Sequence, residues 1–312
     1  MKRRRSSFNV ITVAQKLIEN PDKEISSAEK YYFSQLIKVA NSLGHRRIIL
    51  ISGPSASGKT TSANKIREKI RSHGKKCEVV SLDDFYHNRE HLPIVDGKPN
   101  AEIVDALSVS LIHRTMENLI NEGHSMMPKY DFTLGKRTND AAFVDIGSDG
   151  IVIFEGIHAL NPKIIRGLDP ENVLKIYVSP HSDFNLNGVQ VLSKREVRFI
   201  RRLIRDSWAR NTAPEATMCM WPTVCEGEDR LIRPFAEYAE MYINTTHAYE
   251  PFLLKNKAIL LLQQIGNDSI HIQTASQYIA KLKSFPSIPN LHLPETSLLR
   301  EFLNFQETAD EK

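Results

Sequence analysis

From Arg47 onward, short uninterrupted apolar runs alternate with longer stretches whose apolar residues recur at three- and four-residue intervals. The runs at 47–52, 77–82, 150–154, 173–178 and 240–244 predict strands, and Arg47-Ile48-Ile49-Leu50-Ile51 is apolar enough to be a buried one. The periodic stretches predict helices at 59–73, 102–122, 161–167, 190–210, 228–238, 247–256 and 269–283. This alternation predicts an α/β fold: a parallel sheet with helices on both faces and ligands bound outside the carboxyl ends of the strands. Residues 1–45 read as a helical segment with Val13, Leu17, Tyr32, Phe33, Leu36, Val39 and Ala40 at helical spacing, divided at Asn20-Pro21-Asp22. Residues 46–283 form the main domain, and 284–312 an extended tail that Leu293, Leu298, Leu299 and Phe302 anchor to it.

Composition narrows the function classes. The chain has 312 residues and a net charge of +4, enough for a substantial core and suited to polyanionic small molecules without demanding nucleic acid. Cys77, Cys219 and Cys225 are too few and too scattered for a disulfide framework or a zinc site, and fit a reducing, cytoplasmic setting. The longest aliphatic run, Ala258-Ile259-Leu260-Leu261-Leu262, falls far short of a membrane span. Lys2-Arg3-Arg4-Arg5 reads as a solvated basic start, since Gln15, Lys16, Glu19 and Asn20 interrupt any apolar core of a leader. The totals fit a homo-oligomer as well as a monomer.

The sharpest signal is Gly53-Pro54-Ser55-Ala56-Ser57-Gly58-Lys59-Thr60, the G-x-x-x-x-G-K-[ST] phosphate-binding loop, followed by Thr61. It sits between a predicted strand and a predicted helix, as the motif requires. Its glycines let successive N–H groups turn inward around phosphates, and the helix start adds partial positive charge. The motif predicts that Lys59 reaches the β- and γ-phosphates of a nucleotide and that Thr60 offers its hydroxyl to Mg²⁺. A chance match in a chain of this length is on the order of 1%.

Two strand ends then deliver carboxylates. Asp83-Asp84-Phe85-Tyr86 follows the second strand, where one carboxylate can accept a hydroxyl proton and help hold Mg²⁺; spacing alone does not separate Asp83 from Asp84. A lone Asp there would more often cap a helix, but its place downstream of a phosphate loop reverses that preference. Glu155 ends the run Ile151-Val152-Ile153-Phe154 and takes the place of a second metal-side acid. Lys194, Arg198, Arg201, Arg202 and Arg205 recur at helical spacing, with Val197, Ile200 and Ile204 on another stripe. Lys194 and Arg195 read as solvated charges; Arg202, Arg205 and Arg210 read as a helical lid over the transferring phosphoryl group, because guanidinium forks match phosphate oxygens. Nucleic-acid binding by this face lacks aromatic interleaving.

Taken together, Gly53–Thr61, Asp83–Tyr86, Lys129-Tyr130-Asp131-Phe132, Phe154-Glu155-Gly156-Ile157 and Arg201-Arg202-Leu203-Ile204-Arg205-Asp206 resemble the uridine kinase and phosphoribulokinase family. Pro128–Arg137, Glu155–Pro162, Met220-Trp221-Pro222 and Leu298–Phe302 are similar to a uridine kinase-like subgroup. The resemblance implies a P-loop NTPase-type sheet and ATP-dependent phosphorylation of a nucleoside 5′-hydroxyl. It implies Asp83 as base and metal partner, Thr60 and Glu155 as its metal-side companions, and Lys59, Arg202 and Arg205 as catalytic charges. It places ATP on Gly53, Ser55, Ala56, Ser57, Gly58, Lys59, Thr60, Thr61, Arg205 and Arg210. The acceptor falls to Asp84, Tyr86, Tyr130, Phe132, Arg137 and Arg202.

Three departures alter the acceptor side. The family's base-reading His falls on Thr133-Leu134-Gly135-Lys136, its ribose-binding Asp on Lys98-Pro99-Asn100-Ala101-Glu102, and a further lid Arg on Thr212. A kinase of another hydroxyl metabolite or sugar phosphate, which Lys136 and Arg137 would suit, and a nucleotide-binding regulator with little turnover are the alternatives. The absence of N-K-x-D argues against a GTPase switch; the nearest string is Asn256-Lys257-Ala258-Ile259.

Overall fold

The computed structural model describes residues 6–303 other than 96 and 290. The basic start Lys2–Arg5 and the tail beyond 303 lie outside the described residues. The chain begins with β1 (Ser6–Asn9), α1 (Val10–Glu19), α2 (Pro21–Asn41), β2 (Ile48–Ser52), α3 (Lys59–Ser72) and β3 (Cys77–Ser81). It continues through β4 (Ile94–Val95), β5 (Lys98–Pro99), α4 (Val109–Asn121), β6 (His124–Asp131), β7 (Lys136–Asp145), β8 (Ile151–Glu155), α5 (Pro162–Ile165) and β9 (Val173–Ser179). It ends with β10 (Ser182–Leu186), β11 (Val189–Leu192), α6 (Lys194–Ala209), α7 (Pro214–Leu231), β12 (Met241–Asn244), α8 (Glu250–Leu262) and α9 (Ile272–Lys283).

The central sheet is parallel, in the order β12-β9-β2-β8-β3. All five of its predicted strands are present. Their apolar runs split by parity: Ile49 and Ile51 join one apolar cluster, Ile48 and Leu50 the other, and Ile151 and Ile153 part from Val152 and Phe154 in the same way. Continuous hydrophobicity therefore reflects burial on both faces. The chain leaves β2 for the edge strand β3, returns to β8 beside β2, and then crosses to β9 on the other side. That makes β2 the switch point, where a crevice opens at the carboxyl ends.

Helices α1 and α2 start at Asn9 and Asn20, whose side chains accept the Thr12 and Lys23 amides, with Pro21 at the first position of α2. Val13, Leu17, Tyr32 and Leu36 lie in the same apolar cluster as α3, α6, α8 and the tail residues Leu298, Leu299 and Phe302.

Several expectations shift. The helix at 102–122 begins only at Val109, after a 3₁₀ turn at Val104–Ala106. Residues 124–145 contain an unforeseen antiparallel hairpin, β6–β7, with an irregularity between Met127 and Lys129 where Pro128 lacks an N–H to pair. The helix at 190–210 starts at Lys194, set by a capping box in which Ser193 and Glu196 satisfy each other's amides. Residues 189–192 instead turn back through Asn187-Gly188, both at positive φ, to pair with β10. The helix at 228–238 is the end of the longer α7, followed by a 3₁₀ turn at Arg233–Tyr238; Pro222 inside α7 masked the pattern.

Candidate active site

Sheet register brings the acids to the loop. Glu155 pairs with Ile51 on one side and Ser81 on the other, so the β8 terminus lies level with the entry to the loop and with the turn carrying Asp83. The loop passes so close to β9 that a Cβ on Gly53 would come within 2.0 Å of the Val178 carbonyl oxygen. Ala56 holds a left-handed φ of 57°, a strained conformation of the kind that binding loops store. Thr60 Oγ1 donates to Glu155 Oε1 at 2.9 Å, and Lys59 Nζ rests on the Pro54 carbonyl at 3.3 Å.

These charges perturb one another. Burial pushes the Lys59 ammonium down, opposed by the carboxylates of Glu155, Asp83 and Glu301. Burial pushes the Asp83 carboxyl up, as Asp84 does, while Lys59 and Arg210 pull it down. Asp83 is nonetheless open to solvent, at the floor of a cleft and crowded by protein atoms. Glu155 is raised by burial and by Asp83, and lowered by Lys59 and by the Thr60 hydrogen bond. Asp84 points elsewhere: its Oδ1 accepts the Tyr130 amide at 3.2 Å.

Helix α6 grips the loop. Arg198 Nε donates to the Ser55 carbonyl at 2.9 Å and Arg202 Nη1 to the Ser55 hydroxyl at 2.9 Å. Arg198 also pairs with Glu228 on α7 at 2.6 Å. Arg202, Arg205 and Arg210 converge on buried Asp206, at 3.1, 2.6 and 3.4 Å. Arg201 has a different place: it is fully buried and paired with Glu250 at 2.5 Å.

An open cleft of about 650 Å³ joins Pro54 and Ser55 of the loop to Asp83, Tyr86, Glu102, Arg198, Arg202 and Arg210. Tyr86, which lines the cleft, forms an aromatic cluster with Tyr130 and Phe132, with ring centroids 5.0–6.1 Å apart. Phe132 stands exposed near the tip of the β6–β7 hairpin. Arg137 is bound to main chain, donating to the Tyr86 and Phe85 carbonyls at 2.9 and 3.0 Å, and so ties the hairpin to the Asp83 turn. Thr61 donates its hydroxyl to Glu301 at 2.5 Å.

Sequence reasoning missed Glu102, Glu228 and Glu301. Glu102 looked like the start of a helix; the irregular stretch actually present delivers it to the cleft, where burial and Asp83 raise its pKa and Arg202 lowers it. The signal was the reading of 98–102 as the acceptor stretch: it contains a carboxylate, one methylene longer than Asp.

A phosphate loop at the switch point, with strand-end acids and a basic helix facing it, has the parts of a phosphate-loop kinase. A model of the Phosphoribulokinase / Uridine kinase family matches residues 48–249, and the chain belongs to that family. It is an ATP-dependent phosphotransferase with an alcohol acceptor. The uridine kinase of Lactobacillus helveticus is 30% identical over 198 residues, covering 63% of this chain and 85% of that one. The uridine kinase of Borrelia duttonii is 32% identical, with the same coverage. Phosphoribulokinase from Rhodobacter spheroides, a solved structure, is 20% identical with a TM-score of 0.41, covering 62% of this chain and 68% of that one.

Proposed function

We propose that this kinase transfers the γ-phosphoryl group of ATP to the 5′-hydroxyl of a nucleoside. One observation carries the reading: a single cleft joins the phosphate loop to Asp83 and Glu102, and three aromatic rings stand on its acceptor side. Rings of this kind offer stacking faces to a planar base. Asp83 accepts the proton of the attacking hydroxyl, and Glu102 accepts hydrogen bonds from sugar hydroxyls. Lys59, Arg202, Arg205 and Arg210 stabilise charge on the transferring group, the three arginines already oriented by Asp206 and Arg202 also by Ser55. Loop amides and the α3 start hold the phosphates.

The donor set at the loop fits Mg²⁺. Thr60, Asp83 and Glu155 would hold it through hard oxygen donors of the kind this ion prefers. When bound, it neutralises charge on the β- and γ-phosphates. Three free cysteines support placing the protein in the cytoplasm.

A second reading, an anionic hydroxyl metabolite as acceptor, rests on Arg198, Arg202 and Arg210 in the cleft. It draws no support from Arg137, which is occupied by main chain. A panel of nucleosides and sugar phosphates incubated with ATP and Mg²⁺, with products read by mass, separates the two. A nucleoside monophosphate is the expected product; only phosphorylated sugars gaining a phosphate would overturn the nucleoside assignment.

A further inference from the structure

The chain beyond α9 returns across the molecule to the phosphate loop. Its segment Ser297–Phe302 forms a strap with Leu298, Leu299 and Phe302 fully buried. Leu298 covers Gly58 so closely that a Cβ there would come within 2.5 Å of it. Glu301 accepts the Thr61 hydroxyl, and Lys65, one turn further along α3, donates to the Thr296 carbonyl at 2.6 Å. On the other side, Trp208 Nε1 on α6 donates to the Phe302 carbonyl at 2.9 Å, and the Arg201 guanidinium lies 5.0 Å from the Phe302 ring. The strap's start is fixed by Ser297, whose hydroxyl donates to buried Glu29 of α2 at 2.5 Å.

The strap therefore joins the first turns of the loop helix to the end of the arginine helix. Buried Leu298, Leu299 and Phe302, the Ser297 hydrogen bond, and donors from Lys65 and Trp208 all dock it without Glu301. Glu301 is different: it is only half-buried, and it spends its carboxylate on a hydroxyl next to Lys59 and Thr60. A carboxylate beside a phosphate site opposes anion binding, so docking alone gives no reason for one here. A hydrogen bond to a β-branched hydroxyl selects one χ1 rotamer.

We infer that the strap is a working part of the nucleotide half of the site, and that Glu301 is a positioning residue for ATP binding that acts through Thr61. The inference rests on the kinase reading of the loop. Glu301 orients the Thr61 side chain; Trp208, through Phe302, fixes the spacing between the loop helix and the arginines of α6.

The test is binding of ATP with Mg²⁺, without acceptor, by calorimetry on the full chain. Glu301→Ala is expected to weaken Kd about tenfold, the loss of one charge-assisted hydrogen bond. Glu301→Gln, which keeps an oxygen acceptor for Thr61, stays within about threefold. Thr61→Val weakens binding, and Thr61→Val with Glu301→Ala is no weaker than Thr61→Val alone, because the two act as one unit. Trp208→Phe, which keeps an aromatic ring and loses the indole N–H, weakens ATP binding in the same direction. The KM for the acceptor changes less than about twofold in each. An unchanged Kd in Glu301→Ala overturns the inference, as does a Glu301→Gln variant as weak as Glu301→Ala, or losses that multiply in the double variant. A wild-type protein that binds no ATP overturns the kinase reading and this inference with it; wild-type binding with an unaltered Glu301→Ala overturns this one alone.

Discussion

At the scale of single residues, Glu102 is the side chain through which the proposed acceptor role is most directly tested. Its carboxylate shares the cleft with Asp83 and Arg202. Glu102→Ala is expected to raise the acceptor KM about tenfold or more and leave the ATP KM within about threefold, the pattern of a lost ground-state contact to one substrate. Steady-state kinetics with each substrate varied would contradict this if the ATP KM rose instead. His158, just beyond β8, bears on stability. It is 1% exposed, and burial pushes its imidazole down to about 4 from 6.5. The unfolded chain therefore binds more protons between these values. Stability present above pH 6.5 is lost as pH falls toward 4, by about 3 kcal/mol. Urea unfolding of wild type and His158→Gln should show the variant flatter across that window; parallel curves would exclude His158 as the cause.

At the scale of elements, α6 carries structural arginines beside those proposed to face the phosphoryl group. Its arginines divide by partner: Arg198 and Arg202 hold the loop, Asp206 gathers three guanidinium groups, and Arg201 faces inward to Glu250. Arg201→Ala would strand a fully buried carboxylate, so it is expected to lower unfolding free energy by about 3–5 kcal/mol. Chemical denaturation measures this, and a change below 1 kcal/mol, well under that range, would mean Glu250 finds another partner. The five sheet strands and the phosphate loop were legible in sequence because two-faced burial and a glycine-rich turn write local patterns. The β6–β7 hairpin was not, because its strands are half-exposed and interrupted by Pro128, so no clean period survives. The stripe at 194–205 was legible as charge, but which arginine turns inward is set by Glu250 and Thr245, more than forty residues away. Glu102 reaches the site through an irregular stretch and Glu301 through a single 3₁₀ turn at Leu298–Glu301, both too short to write a period.

At the scale of the molecule, α2 and the strap at Ser297–Phe302 pack together beside the loop helix. Tyr32 of α2 hydrogen-bonds Ser62 of α3 at 2.8 Å, and Glu29 takes the hydroxyls of Tyr249 and Ser297 at 2.6 and 2.5 Å. Removing residues 1–41 would expose Leu17, Ile25, Tyr32, Leu36 and Val39, all now buried. We expect the truncated chain to lose cooperative unfolding, and a soluble, sharply melting fragment would show the N-terminal helices to be an independent unit. In the proposed kinase, loop, acids and arginines converge on one transfer step. Single-turnover phosphoryl transfer from ATP to an accepted nucleoside tests it most directly. Asp83→Asn should slow transfer by about 10²–10⁴ while binding ATP normally. Wild-type-like transfer in Asp83→Asn would contradict the account.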